Sequence, residues 1–65
     1  MAHYVVIKTT DHRNVGHVYP SLPRPGEHLE LDGGYTFDPS TIEDRGNGWV
    51  LVHNPNYIML WKRRG

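Results

Sequence analysis

The sequence holds no cysteine. That absence excludes disulfide staples, thiolate metal sites and cysteine nucleophiles together. No apolar run approaches the roughly 20 residues that a membrane-spanning helix needs. No charged-then-apolar leader precedes the first strand-like segment, so the expectation is a cytoplasmic protein without membrane contact. Net charge is missing too: 7 Lys and Arg balance 7 Asp and Glu, and aromatics make up 11%. That balance argues against a disordered charged tail and falls short of the basic footprint of a dedicated nucleic-acid binder. The only serines are Ser21 and Ser40, and neither sits in a Gly-x-Ser-x-Gly elbow. Asp32-Gly33-Gly34 and Arg45-Gly46-Asn47-Gly48 lack the Gly-Lys-Ser/Thr ending of a phosphate loop and are explained by turns.

What is present is short and punctuated. The chain has 65 residues with 7 Gly and 5 Pro, which allows one small β domain over residues 1–65 and no second. A domain of this size buries only about 60% of the surface its unfolded chain exposes. Its stability must come from packing, a bound ion or association with another chain. A pocket of several hundred Å³ is hard to enclose at this length, so a binding surface is favoured over a catalytic cleft.

The segments read as strands joined by turns. His3 to Thr9 is rich in β-branched and aromatic residues. Val5 and Ile7 point one way; Tyr4, Val6 and Lys8 point the other. Val15 to Tyr19 is a second short strand candidate. Pro20 to Gly26 contains three prolines and is an extended connector, because proline cannot donate to a ladder. Glu27 to Asp32 alternates, with Leu29 and Leu31 on one side. Asp32-Gly33-Gly34 turns the chain into Tyr35-Thr36-Phe37. Asp38-Pro39 reads as a helix start, giving one short helical turn over 39–45 that Gly46 ends. Asn47-Gly48 is a further tight-turn signal.

Trp49 to His53 and Tyr57 to Lys62 form the strongest pair, joined at Asn54-Pro55-Asn56. A three-residue loop sorts aliphatic from aromatic side chains: Val50 and Val52 face Leu60 and Ile58, while Trp49 faces Trp61. A one-residue slip inverts a face. The expected fold is all-β: five or six short antiparallel strands in a small barrel or strongly curved sheet. The expected core is Val5, Ile7, Val18, Leu29, Leu31, Phe37, Val50, Val52, Ile58 and Leu60.

Charges are sorted along the chain although they cancel. Residues 27–44 carry only acids among their charged groups, and residues 45–65 only Arg45, Lys62, Arg63 and Arg64. If the fold holds the two apart, the molecule is a dipole with two different surfaces. The histidines His3, His12, His17, His28 and His53 form no metal-binding motif, so no metal and no cofactor is expected. A small histidine–metal hydrolase stays a minor alternative, with surface histidines as the plain reading. Adjacent Glu43 and Asp44 point oppositely in a strand, and the acids read as a solvated edge that also blocks edge-to-edge pairing.

The stretch Pro23 to Phe37 places a Pro-Gly-Glu turn before an alternating strand, an Asp-Gly turn and a strand beginning with Tyr. In this it resembles small β-barrel accessory proteins of phages and bacteria. The resemblance implies an SH3-like barrel and a phage-type accessory or inhibitor role, and it carries no catalytic residues.

The candidate site is Trp49, Tyr57 and Trp61 with Lys62, Arg63 and Arg64. Tryptophan, tyrosine and arginine are enriched at interface centres, so the leading expectation is a non-enzymatic protein-binding module docking on a larger complex. Aromatics beside cations also bind single-stranded nucleic acid by stacking and phosphate contact, which is the alternative. The same aromatics serve equally as the core of a small β fold. Self-association uses the same features and relieves the small core.

Overall fold

The computed structural model describes residues 2–31 and 33–65. Asp32, first residue of the expected Asp32-Gly33-Gly34 turn, lies outside the described residues. The chain forms seven strands: β1 (His3–Thr9), β2 (Val18–Tyr19), β3 (Leu29–Glu30), β4 (Thr36–Phe37), β5 (Thr41–Gly46), β6 (Trp49–Asn54) and β7 (Tyr57–Arg64). Five of them make an antiparallel sheet in the order β2-β1-β7-β6-β5, and β3 pairs with β4 in a separate hairpin. The fold is all-β. The sheet is open and not a barrel, since β2 and β5 stand at opposite edges.

Local chemistry explains most elements. β1, β6 and β7 are built from Val, Ile, Leu, Tyr and Trp, which fit a pleated surface. Asn47 and Gly48 both have positive φ, 56° and 84°, the conformation that a two-residue hairpin turn requires. The Arg63 amide donates to the Gly48 carbonyl at 2.7 Å and ties that turn to β7. At the other end, Asn54 Oδ1 accepts from the amides of Asn56 and Tyr57, both at 2.8 Å. That side-chain cap makes Asn54 the last paired residue and leaves Pro55-Asn56 as a two-residue corner.

This corner overturns the expected three-residue loop. The register is Val50↔Trp61, Leu51↔Leu60 and Val52↔Met59. Against the expectation, every β7 side chain changes face. The core is Val6, Leu31, Phe37, Val50, Val52, Met59 and Trp61. Leu31, Phe37, Val50 and Val52 were expected there; Val6, Met59 and Trp61 replace others. Val18 and Ile58 are instead 53% and 50% exposed, and Val5, Ile7 and Leu60 are half-buried. Leu29 packs at the core's margin. In β1, a bulge between Val6 and Lys8 puts Val6 and Thr9 inward and ends the simple alternation from Val5 to Ile7.

The expected helical turn at 39–45 does not form. Residues Thr41 to Gly46 pair with β6 from Thr41↔His53 to Gly46↔Trp49. Ladder bonds to β6 satisfy backbone groups that one isolated helical turn would leave open. Thr41 and Ile42, both β-branched, favour the same outcome. Pro39 is fully buried, and its carbonyl accepts from the Gly26 amide at 2.8 Å. It anchors the proline-rich connector and does not start a helix.

The hairpin and the connector pack as a second tier on the five-stranded sheet. Phe37 and Leu31 from the β3–β4 hairpin and Leu22 from the connector cover one face of the five-stranded sheet. Trp61 lies at its centre, stacked on Tyr19 at 4.5 Å with the rings 5° apart. Adjacent residues of β7 therefore carry opposite expectations. Met59→Ala should cost about 2–5 kcal/mol, much of the roughly 3–10 kcal/mol margin of a domain this long. Ile58→Ala should cost about 0.5 kcal/mol or less. Urea midpoints of the two variants check this, and a larger loss from Ile58 would contradict the register.

Candidate functional site

Alternation along the paired strands sets the second face of the sheet. Opposite the core, β7 presents Ile58, Leu60 and Lys62, and β6 presents Trp49, Leu51 and His53. β5 adds Thr41 and Glu43 beside them, and β1 adds Val5 and Lys8. Lys8, Leu51, Ile58 and Leu60 line a shallow concavity of about 320 Å³ on this face. None of the core-forming side chains of β3, β4 or the connector covers it. An antiparallel sheet with one solvated face normally alternates apolar inside with polar outside. Here the outer face keeps an aliphatic centre.

Polar groups ring that centre. The Lys62 ammonium lies 4.8 Å from the Trp49 ring centroid and bonds the Asn47 carbonyl. A cation over an indole contributes about 0.5–1 kcal/mol at an exposed site. His53 Nε2 meets Glu43 Oε2 at 3.0 Å, closing the opposite rim. Lys8 stands at the β1 side and Glu43 at the β5 side.

The expected aromatic site is dispersed. Trp61 is 0% exposed, and Tyr57 packs on Phe37 at 5.2 Å on the covered face. Of the expected three aromatics only Trp49 lies on the open face, because the two-residue corner turns Trp61 inward. Lys62 belongs to the open face, while Arg63 and Arg64 extend past it, both exposed. Among the described residues no carboxylate forms an ion pair with Arg45, Lys62, Arg63 or Arg64. Sequence reasoning did not single out Leu51, Ile58, Leu60, Lys8 and Glu43 as one surface. The signal was there, since both alternating sets of β6 and β7 are apolar, but only the register says which is outside.

A second concavity, about 480 Å³, is lined among others by Asp11, Arg13, Tyr35, Phe37 and Tyr57. The Tyr57 hydroxyl donates to Asp11 Oδ1 at 2.6 Å, and the Arg13 amide donates to the same oxygen at 3.0 Å. The Arg13 guanidinium lies 4.4 Å from the Tyr35 ring centroid. The Tyr57 hydrogen bond, reinforced by the Arg13 amide, lowers the Asp11 carboxyl below its usual range. Burial and the bond to Asp11 raise the Tyr57 hydroxyl above its usual value. Both shifts oppose acid–base work near neutrality: a carboxylate made less basic is a poor base, and a phenol made less acidic is a poor acid. The arrangement fastens the β1–β2 loop to the start of β7. Among the described residues no three His, Asp or Glu converge on a common point, and no helix is long and apolar enough to cross a membrane.

No family model, curated protein or solved structure matches the chain.

The Asp11–Tyr57 pair has a signature in pH. Asp11 is depressed in the fold, so its stabilisation is present above the unfolded value of about 3.9 and disappears as pH falls through the lower folded value. Tyr57 is raised, so its stabilisation is present below about 10 and disappears as pH rises through the higher folded value. The melting-temperature gap between the wild type and Tyr57→Phe should be constant between about pH 5 and 9 and shrink on both sides. Thermal melts extended from about pH 2 to about pH 11 check it; a gap unchanged at both extremes would contradict the assignment.

Proposed function

We propose that the chain is a non-enzymatic protein-binding module that docks through the open face of its five-stranded sheet. The observation that supports this most is the uncovered aliphatic centre of Val5, Leu51, Ile58 and Leu60, with Ile58 50% exposed. Contiguous exposed apolar surface rimmed by polar groups is the mark of an interaction site. The rim is polar and mixed in charge, with Lys8, Lys62, Glu43 and His53, as interface rims are. Trp49, held by Lys62, supplies the aromatic anchor type that dominates binding energy.

Nucleic acid is the weaker reading on this geometry. A stacking platform needs successive exposed rings, and of the two indoles Trp61 is sealed under Tyr19. The phage-type accessory role implied by the resemblance of residues 23–37 agrees with a small docking protein and adds nothing to the choice of face.

A photo-crosslinking amino acid at position 58 tests the proposal in the cells that make the protein. The expected result is a discrete protein adduct from position 58 that Leu51→Lys suppresses. Position 15, equally exposed at 53%, should give none. Equal labelling from both positions, or none from 58, would remove the open face as a docking surface.

A further inference from the structure

Register places the charges of the open face in an order that specifies a partner. Lys8 pairs with Leu60, Leu60 with Leu51, and Leu51 with Glu43. One row across the sheet therefore reads cation, leucine, leucine, anion, from β1 through β7 and β6 to β5. We propose that the occupant of the open face is a second copy of this chain, in a face-to-face dimer with its two-fold axis along the strands, between β6 and β7. This rests on the docking reading above and names its partner.

The open face is complementary to itself. Rotation by 180° about that axis reverses the row. Lys8 then lies against Glu43 of the other copy and Glu43 against its Lys8, while Leu60 meets Leu51. The neighbouring row, Trp49 paired with Lys62, reverses in the same way, so each Lys62 ammonium meets the other copy's Trp49 ring. The contacts that are intramolecular within one sheet are thus repeated between sheets. The other in-plane axis, perpendicular to the strands and centred on the same row, would stack Lys8 on Lys8 and Glu43 on Glu43. Like charges juxtaposed across an interface are strongly unfavourable, so the charges select the first axis. That axis keeps the strands of the two sheets aligned, as in ordinary sheet-on-sheet packing, and a two-fold contact of one patch with itself is the commonest form of homodimer. A 65-residue chain without cysteine also gains cover for the sheet face that its own hairpin and connector leave open.

Charge reversal separates this dimer from other uses of the face. Lys8→Glu sets a new carboxylate against the other copy's Glu43 twice over, and Glu43→Lys sets a new ammonium against its Lys8 twice over. Each variant alone should dissociate at least tenfold more readily than the wild type by analytical ultracentrifugation. Mixed together, with one carrying an affinity tag, they should form a one-to-one heterodimer within about threefold of the wild-type affinity. One cross-contact in that mixture sets the two introduced charges against each other and the other sets the two native ones, so both are again opposite. Recovery on mixing also shows that both variants are folded. A wild type that stays monomeric at 100 μM, to order of magnitude well above the dissociation constants of specific complexes, overturns the dimer. So does a dimer indifferent to both substitutions, or one not restored by mixing. A monomer that still forms the adduct from position 58 with a different protein overturns this inference alone. A monomer without that adduct overturns the docking reading as well.

Discussion

The pairing of β1 with β7 is the constraint on which the rest of the structure depends. The ladder runs from His3↔Arg64 to Thr9↔Met59 and joins the first strand to the last. It makes β7 an interior strand, bonded on both sides, and so fixes the position of Trp61 at the centre of the covered face. Burying an indole of roughly 150–250 Å² contributes about 4–6 kcal/mol. The Trp61 N–H has no acceptor among the described residues, a cost of about 1–3 kcal/mol. Burial therefore wins at this position, and stacking on Tyr19 recruits the short edge strand β2 to the same residue. Such distant pairing carries a large loop-closure entropy that grows only slowly with length, so the chain relies on the core formed at β7 once the ladder closes.

The all-β class, most turns and the positions of the strands other than β5 were legible because they rest on local chemistry; the reading gave five or six strands where the fold has seven. Asn47-Gly48 announces its own hairpin, the alternation of Leu29, Glu30 and Leu31 orients its strand, and the prolines between Pro20 and Pro25 exclude a ladder. Two features were not legible. The helical reading of Asp38-Pro39 relied on local capping chemistry that pairing with β6 overrode. The register of β6 and β7 turned on one side chain, Asn54, whose carbonyl oxygen closes the corner one residue earlier than a three-residue loop would. Because both faces of that hairpin are apolar, hydrophobic pattern alone could not choose between them, and the error carried Trp61, Met59, Ile58 and Leu60 to the wrong sides together.

Edges and faces are treated differently by this sequence. The β5 edge carries Glu43, Asp44 and Arg45, and β2 is only two residues long. Charge and shortness are the usual means of preventing edge-to-edge pairing. No such protection is applied to the open face, where Leu51, Leu60 and Ile58 occupy positions that a solvated sheet gives to polar residues. Threonine or lysine there would fit the pleat and leave the core untouched.

The distribution of polar groups on that face follows the same logic. Glu43 is held by His53 and Lys62 by Trp49, so the rim is ordered before any partner arrives. Ordering side chains in advance lowers the entropy lost on binding. Places where a sequence departs from its local rule without structural gain are where function is to be sought. On the open face the departure centres on strands β6 and β7, with Val5 of β1 beside them, and is flanked by Lys8 on one side and Glu43 on the other. An apolar centre left in water costs the chain free energy that a polar one would not.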